Sequence, residues 1–230
     1  MNSFDSFDLI DFHTHVLPGA DHGSSSLSTS LSQLSLARDA GIKRVVATPH
    51  FYPDRHTVDN FLERRQKAYD ELAPHITSDL PEIIIGAEVL VCPGIDRMDG
   101  IETLCIKGTN TILLELPFSD FDTSYCDVAY KLRSRGMKII LAHADRYPKE
   151  NIERMLDAGA LIQLNTDSLC TLFRRRHLYD WLDRGLVAAL GSDIHDANKK
   201  AYKYLSAALE RIRPFVPQIM QSSEELLKSN

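Results

Sequence analysis

The chain has 230 residues, of which 43% are apolar, and a formal charge of -6 at pH 7; that length and composition suit one core of ordinary size. The negative balance argues against nucleic acid as a partner, because nucleic-acid binding draws chiefly on clustered lysine and arginine. No run of about 18 apolar residues and no signal-type start is present, so we expect a cytoplasmic protein that does not insert into a membrane.

Short segments rich in valine, isoleucine and leucine alternate with longer amphipathic segments, without linkers or repeats, which predicts a single domain over residues 1–230. The predicted strands are 7–13, 43–50, 82–89, 110–117, 137–143, 160–165 and 186–193. The predicted helices are 27–41, 58–72, 125–136, 151–159 and 172–185. This alternation is typical of α/β proteins built either as an open doubly wound sheet or as a closed barrel.

Nearly every predicted strand ends in a side chain that can bind a metal ion. These residues are His13, His15, His50, Glu88, Glu115, His143, Asp193 and His195. The carboxyl ends of barrel strands meet at one face, where such side chains can converge, whereas an open sheet would spread them out. The pattern therefore favours a barrel with a metal site at its mouth.

The chemistry of these side chains limits the ion. Imidazole combined with carboxylate favours Zn, Mn or Fe over Ca or Mg, and eight groups exceed the three or four protein ligands of one catalytic ion. We therefore expect two or three divalent metal ions. Clustered divalent ions suit hydrolysis of a phosphate ester, which becomes the leading reaction class.

Six segments, in this order, carry a resemblance to a known family: FHTHVLPGADHG, ATPH, GAEV, LLELPF, LAHADRY and GSDIHD. Together they resemble the polymerase and histidinol phosphatase (PHP) superfamily, and within it the manganese-dependent bacterial protein-tyrosine phosphatases of capsule and exopolysaccharide operons. The resemblance implies a distorted seven-stranded (β/α) barrel of TIM-like type. It also implies manganese as the metal and a phosphotyrosine protein as the substrate, namely the tail of a bacterial tyrosine autokinase.

The resemblance further implies how the ions are shared. One ion would be held by His13, His15, Glu88 and Asp193, and Glu88 would bridge to a second ion that also takes His50 and His143. A third ion would take Glu115 and His195. His22 stands where the family has an aspartate ligand for that ion, and Asp21 competes with it for this role.

Substrate contacts are predicted in three regions. Arg146 matches a family arginine that holds phosphate, and a guanidinium fork suits that role. A second family arginine is missing here, and either Lys199 or Lys200 replaces it or nothing does. In the segment 51–60, Phe51 and Tyr52 are candidates to stack on a substrate ring, and Arg55 is a candidate to contact phosphate. Aromatic loop residues are at least as often packing residues.

Other readings stay open at this point. A small-molecule phosphatase of the histidinol-phosphate type would carry the same ligands, and His22 together with the missing arginine also fits a regulatory module with weakened activity. Cys170 and Arg176 have the C-x5-R spacing of cysteine-dependent phosphatases, but the intervening residues contain no glycine, so we read the match as coincidence. The sequence also leaves open whether the chain forms homo-oligomers.

Overall fold

Parallel strands alternate with helices in the computed structural model, which describes residues 8–118, 121–170, 176–197, 200–203 and 205–228. The described strands are β1 (Leu9–Thr14), β2 (Ile42–Ala47), β3 (His50–Phe51), β4 (Glu82–Ile85), β5 (Glu88–Leu90), β6 (Thr111–Glu115), β7 (Lys138–Leu141), β8 (Leu161–Asn165) and β9 (Val187–Gly191). The described helices are α1 (Leu27–Asp39), α2 (Val58–Leu72), α3 (Ser124–Ser134), α4 (Lys149–Asp157), α5 (Arg176–Asp183), α6 (Lys200–Lys203), α7 (Leu205–Arg211) and α8 (Val216–Leu226). The predicted α/β class is confirmed.

The strands form two sheets in which every pairing is parallel. One sheet has the order β1-β2-β4, and the other has the order β3-β5-β6-β7-β8-β9. Between the end of β1 and the segment after β9 there is an isolated parallel bridge, Thr14 to Ile194. Within the described residues, the ladders therefore do not close into a continuous ring.

Two of the seven predicted strands are each divided, which corrects the strand count to nine. The predicted strand 43–50 becomes β2 and β3, and 82–89 becomes β4 and β5. Pro49 lies in the first break and has no N–H to donate to a ladder. Bonds from Gly86 N to Ala47 O (2.7 Å) and from Glu88 N to Pro49 O (3.1 Å) keep the two broken strands side by side. The breaks turn the chain from one sheet to the other, just where His50 and Glu88 begin their strands.

The three helices after residue 199 were not predicted from the sequence. Of these, α8 lies against the amino ends of the strands: Thr111 Oγ1 donates to the Leu226 carbonyl (2.7 Å) and Ser223 Oγ to the Ala188 carbonyl (2.9 Å). That end of the sheets is therefore covered, and the carboxyl ends are left for a site. No helix in the described ranges is long and apolar enough to cross a bilayer.

The packing of α2 provides a test of this core. Phe61 on α2 is fully buried and meets the Phe51 ring edge-on, with 5.3 Å between ring centroids. We expect Phe61→Ala to lower the free energy of unfolding by about 3–5 kcal/mol, because it leaves a cavity that the surrounding strands cannot fill. Chemical denaturation followed by circular dichroism measures the change.

Tyr130→Ala is the matched control, because Tyr130 is 63% exposed on α3. It should change the free energy of unfolding by no more than about 0.5 kcal/mol. Equal unfolding midpoints for Phe61→Ala and the wild type would contradict this packing.

Candidate metal centre

A single buried carboxylate, that of Glu88, lies at the centre of the candidate site. Its Oε2 is 3.1 Å from His13 Nε2, 3.3 Å from His15 Nε2 and 3.0 Å from His50 Nδ1. Its Oε1 is 2.8 Å from His143 Nε2. The side chain of Glu88 is fully buried, so four imidazoles from three chain segments surround a charge that has no contact with solvent.

The first histidine pair shares a second carboxylate. Asp193 Oδ1 is 3.5 Å from His13 Nε2 and 3.2 Å from His15 Nε2, and the two Nε2 atoms are 3.1 Å apart. Burial alone would raise the pKa of Asp193, but the neighbouring histidines hold it well below its usual value. Burial likewise opposes the protonated form of His13, yet Glu88 and Asp193 raise its pKa above normal. The carboxylates thus require a positive charge between them, whether protons or a metal ion supply it.

The outward nitrogens of both histidines are held by other side chains. His15 Nδ1 is 2.7 Å from Asp21 Oδ2, and His13 Nδ1 is 3.2 Å from Gln163 Oε1. When Nδ1 donates to an oxygen acceptor, the tautomer leaves a lone pair on Nε2, which is the arrangement found behind metal-ligating histidines. In that tautomer, the Nε2 atoms of both rings are available to bind an ion within the cluster.

The second half of the centre contains His50, His143 and Glu115. Glu115 Oε2 is 3.7 Å from His50 Nδ1, and its Oε1 is 3.6 Å from His143 Nε2. Burial, reinforced by the charge of Glu88, raises the pKa of Glu115 to about 8. Burial lowers the pKa of His50 to about 3, so this ring is neutral and able to act as a ligand.

A second observation also indicates that these side chains can hold divalent metal ions. Of the buried side-chain atoms that have no hydrogen-bond partner among the described residues, four belong to this site: Glu88 Oε2, His50 Nδ1, His50 Nε2 and His143 Nδ1. Unpartnered buried polar atoms are costly, and two of these, Glu88 Oε2 and His50 Nδ1, lie 3.0 Å apart inside the cluster without forming a hydrogen bond. A metal ion satisfies such atoms and neutralises the carboxylates at once.

Ligand atoms within 4.8 Å of one another form three overlapping groups in the described part of the chain: His13, His15, Glu88 and Asp193; His50, Glu88 and Glu115; and His15, His50 and His195. The first group matches the four residues expected to hold one ion. Glu88 belongs to two groups, in agreement with a bridging position. Glu115 and His195, expected to share a third ion, fall in different groups.

His22 and His195 lie at the edge of the cluster. The His22 ring stacks on His50 at 4.6 Å between centroids and is 4.8 Å from the His195 ring. His195 in turn stacks on His15 at 4.0 Å. His22 is exposed, whereas Asp21 is committed to His15, to the His50 N–H (2.9 Å) and to the Gly23 N–H (2.8 Å). Of the two competitors, only His22 has a side chain free of such bonds.

Arg146 lies beside the cluster, as the HADRY segment predicts. It ends the turn Ala144–Arg146 after β7, and its Nη2 is 2.5 Å from Asp193 Oδ2. The guanidinium therefore contacts the carboxylate oxygen that faces away from the histidine pair, while the side chain remains 40% exposed. It occupies the mouth of the site, where an incoming anion would arrive.

The loop residues predicted to touch a substrate separate into two kinds. The Tyr52 ring stacks on His50 at 5.1 Å, and the Arg55 guanidinium lies 5.2 Å from the Tyr52 ring centroid. Phe51 instead is fully buried in the core against Phe61, which corrects its expected role in substrate contact. Lys199 lies outside the described residues.

Several residues that support the site are not marked by the sequence patterns. Asp11 Oδ1 accepts from the Ser192 N–H (2.8 Å) and its Oδ2 from the Tyr202 hydroxyl (2.6 Å), which ties β1 to the segment that carries Asp193. Gln163 Oε1 also accepts the His143 N–H (2.7 Å). A glutamine inside the apolar strand ALIQLN was the available signal, since polar residues are seldom buried without a partner.

The backbone at the site is unusual in two places. His143 and Asp193 have positive φ angles of 33° and 54°, a region that residues other than glycine rarely adopt. Gly191 packs so closely that a Cβ there would lie 2.6 Å from His13 Cβ, and one at Gly23 would lie 2.3 Å from His15 Cβ. These close approaches let the end of β9 and the loop around Gly23 pack directly against the first histidine pair.

Cys170 gives no support to a cysteine nucleophile. Burial raises the pKa of its thiol, which disfavours the thiolate that such chemistry needs. Residues 171–175 of the C-x5-R match lie outside the described residues.

A family model described as capsular polysaccharide synthesis, CpsB/CapC, matches residues 9–217. The tyrosine-protein phosphatase YwqE of Bacillus subtilis (strain 168) is 24% identical over 236 residues, which cover 96% of this chain and 92% of that protein. The tyrosine-protein phosphatase CpsB of Streptococcus pneumoniae is 24% identical over 214 residues, which cover 84% of this chain and 85% of that protein.

Solved structures resemble the fold. A structure from a study of YwqE from Bacillus subtilis and CpsB from Streptococcus pneumoniae, described as metal-dependent tyrosine phosphatases, aligns with a TM-score of 0.78 at 22% identity and covers 95% of this chain and 94% of its own. A probable 2-pyrone-4,6-dicarboxylic acid hydrolase of Acinetobacter baumannii aligns with a TM-score of 0.59 at 14% identity and covers 95% of this chain and 98% of its own.

The role of Asp21 behind His15 can be tested by metal binding. We expect Asp21→Asn to weaken metal affinity by about 10- to 100-fold without removing a ligand, because the His15 ring loses the carboxylate that orients it. Equilibrium dialysis at fixed free Mn²⁺, with the bound metal counted by mass spectrometry, measures the affinity and the number of ions. Asp54→Asn is the control, because the Asp54 side chain is 71% exposed.

His22→Ala in the same assay separates the two competitors for the last ligand position. If His22 is a ligand, the variant loses one ion at saturating metal, whereas Asp21→Asn recovers the full number. Loss of an ion from the Asp21 variant alone would assign the ligand to Asp21 instead.

Proposed function

This chain belongs to the CpsB/CapC family of capsular polysaccharide synthesis, and on that premise we propose that it is a metal-dependent phosphatase acting on phosphotyrosine in a protein. Its relatives YwqE and CpsB are named tyrosine-protein phosphatases and align along most of their length. The observation that carries the proposal is the cluster of imidazoles and carboxylates around Glu88, with the Arg146 guanidinium at its mouth.

We propose His13, His15, Glu88 and Asp193 for one ion, Glu88, His50 and His143 for a second, and Glu115, His195 and His22 for a third. Bound divalent ions would supply Lewis acidity and an activated water for attack at phosphorus. Two or three ions of Mn, Fe or Zn suit the donor set, and manganese follows from the family resemblance.

The remaining groups bind and orient the substrate. Arg146 holds the phosphoryl oxygens, since its planar fork matches two of them and its charge offsets theirs. The ion pair with Asp193 holds the guanidinium at the mouth before substrate arrives. Tyr52 and Arg55 lie next to His50 and contact the substrate from there, and either Lys199 or Lys200 takes the place of the missing family arginine or nothing does.

The wider setting is part of the same proposal. We place the protein in the cytoplasm as a single domain, with the tail of a bacterial tyrosine autokinase as its substrate. The two parallel sheets, joined through the broken strands and the bridge from Thr14 to Ile194, would together act as a distorted TIM-like barrel around the site. Self-association is compatible with this arrangement but is not required by it.

The activity is tested with purified protein loaded with Mn²⁺. We expect hydrolysis of a phosphotyrosine peptide with kcat/KM well above that for histidinol phosphate, and loss of the activity with a chelator. Cys170→Ser should retain the wild-type rate, because no thiolate takes part.

Three outcomes would overturn parts of this proposal. A rate unchanged by chelation would remove the metal ions from the reaction, and preference for histidinol phosphate would make the protein a small-molecule phosphatase. Metal-loaded protein that hydrolyses neither substrate would indicate a regulatory module instead.

The contribution of Arg146 can be measured separately. We expect Arg146→Ala to lower kcat/KM by about 10²-fold or more, because it removes a group that stabilises charge on the transferred phosphoryl oxygens. Arg146→Lys should recover only part of the loss, because lysine keeps the charge and loses the fork.

Because Arg146 also contacts Asp193, the metal content of each variant must equal that of the wild type for this reading to hold. Arg97→Ala, at an exposed arginine in the turn Ile95–Arg97, is the control and should leave kcat/KM unchanged. Equal rates for Arg146→Ala and the wild type would exclude Arg146 from phosphate binding.

A further inference from the structure

We propose that Phe118 forms one wall of an aromatic subsite that takes the phenyl ring of the substrate, so that it sets selectivity for aryl over alkyl phosphate monoesters. The proposal rests on the proposed phosphatase function and adds to it a residue that neither the motifs nor the metal ligands assign. Its basis is a groove beside the metal centre, defined by residues 116–118, Phe121, residues 146–148 and Asn151.

The groove is lined by both polar and apolar side chains. It has a volume of about 370 Å³, enough for a substituted benzene ring. Arg146, which contacts Asp193, and Asn151 are polar lining residues, and Pro117, Phe118 and Pro148 provide apolar surface. A phosphate held at Arg146 would therefore place its ester group at the start of an apolar channel.

Phe118 is exposed in a way that core packing does not explain. It is 72% exposed, the largest value among the exposed large apolar side chains of the described residues. Its ring is nearly parallel to the His143 ring, with 6.4 Å between centroids and 12° between planes. It is also 5.6 Å from the Tyr147 ring. An exposed apolar ring that is stacked onto a metal-centre histidine points to a contact with a ligand.

The surroundings of Phe118 are fixed while its outer surface stays open. The Tyr147 hydroxyl donates to the Leu116 carbonyl (2.7 Å), which joins the turn after β7 to the segment after β6. The two segments that line the groove are therefore held together by a hydrogen bond. A flat ring fits between such walls at little conformational cost, and stacking on Phe118 would bury the surface now in contact with water.

A comparison of small phosphate esters tests the subsite without a peptide. The substrates are phenyl phosphate and ethyl phosphate, and the variant is Phe118→Ala in the Mn²⁺-loaded protein. We expect kcat/KM for phenyl phosphate to fall about tenfold while that for ethyl phosphate changes less than about twofold, the size typical of one aromatic contact. Phe118→Tyr should restore most of the loss, and Tyr130→Ala, at an exposed aromatic outside the groove, is the matched control.

Binding provides a second readout that does not need turnover. Calorimetry should show phenylphosphonate binding about tenfold weaker to Phe118→Ala than to the wild type, with methylphosphonate binding unchanged. Equal losses for both esters, or unchanged selectivity, would overturn the proposal. A loss confined to phosphotyrosine peptides would assign the groove to a neighbouring side chain of the peptide and also overturn it. If the wild type hydrolyses neither ester, the phosphatase function fails and phosphonate binding alone decides on the groove.

Discussion

The burial of the Glu88 carboxylate among four imidazoles is the constraint around which the rest of the site is arranged. An isolated carboxylate at that depth would be protonated or would destabilise the fold. Here the charge is matched by imidazole nitrogens of His13, His15, His50 and His143, which come from three chain segments. The breaks in the second and third predicted strands place His50 and Glu88 at the start of β3 and β5, and so bring them opposite the histidine pair that ends β1. The irregular sheet and the ligand geometry therefore have a common origin.

The positions of the clustered side chains are fixed largely by residues that do not face the cluster. Asp21 and Gln163 orient the two rings of the first pair, and Gln163 also holds the backbone of His143. Asp11 and Tyr202 connect β1 to the loop of Asp193 from behind. Because each of these groups contacts two segments, a change at any one of them displaces a ligand as well as its own loop. The positive φ angles of His143 and Asp193 persist because such contacts fix the backbone from several sides.

The sequence predicted the strand cores and the ligand types, because runs of branched apolar residues and polar residues at strand ends are local signals. It did not predict the division of two strands, since Pro49 marks a break but not the direction in which the chain turns. For the same reason the sequence did not show which of Phe51 and Tyr52 is buried. Adjacent side chains of a strand face opposite ways, and the direction of the chain after the break decides which one enters the core. The partners of Asp21 and Asp11 depend on contacts between distant segments, and Pro214 and Pro217 interrupt the pattern of the last helices. In the sequence, Phe118 is only the last residue of the segment LLELPF. Its exposed ring could not be predicted, because exposure depends on how the chain folds.

The placement of β1 next to the segment after β9 has a consequence for biosynthesis. His13 and His15 leave the ribosome before Asp193 and His195, and most of the domain lies between the two pairs. Until that last segment emerges, the early ligands have only part of their coordination partners, and the bridge from Thr14 to Ile194 cannot form. A chain whose synthesis has not yet passed His195 thus offers an incomplete set of the proposed donors. The proposed metal centre is in this way completed only after nearly the whole domain has been synthesised.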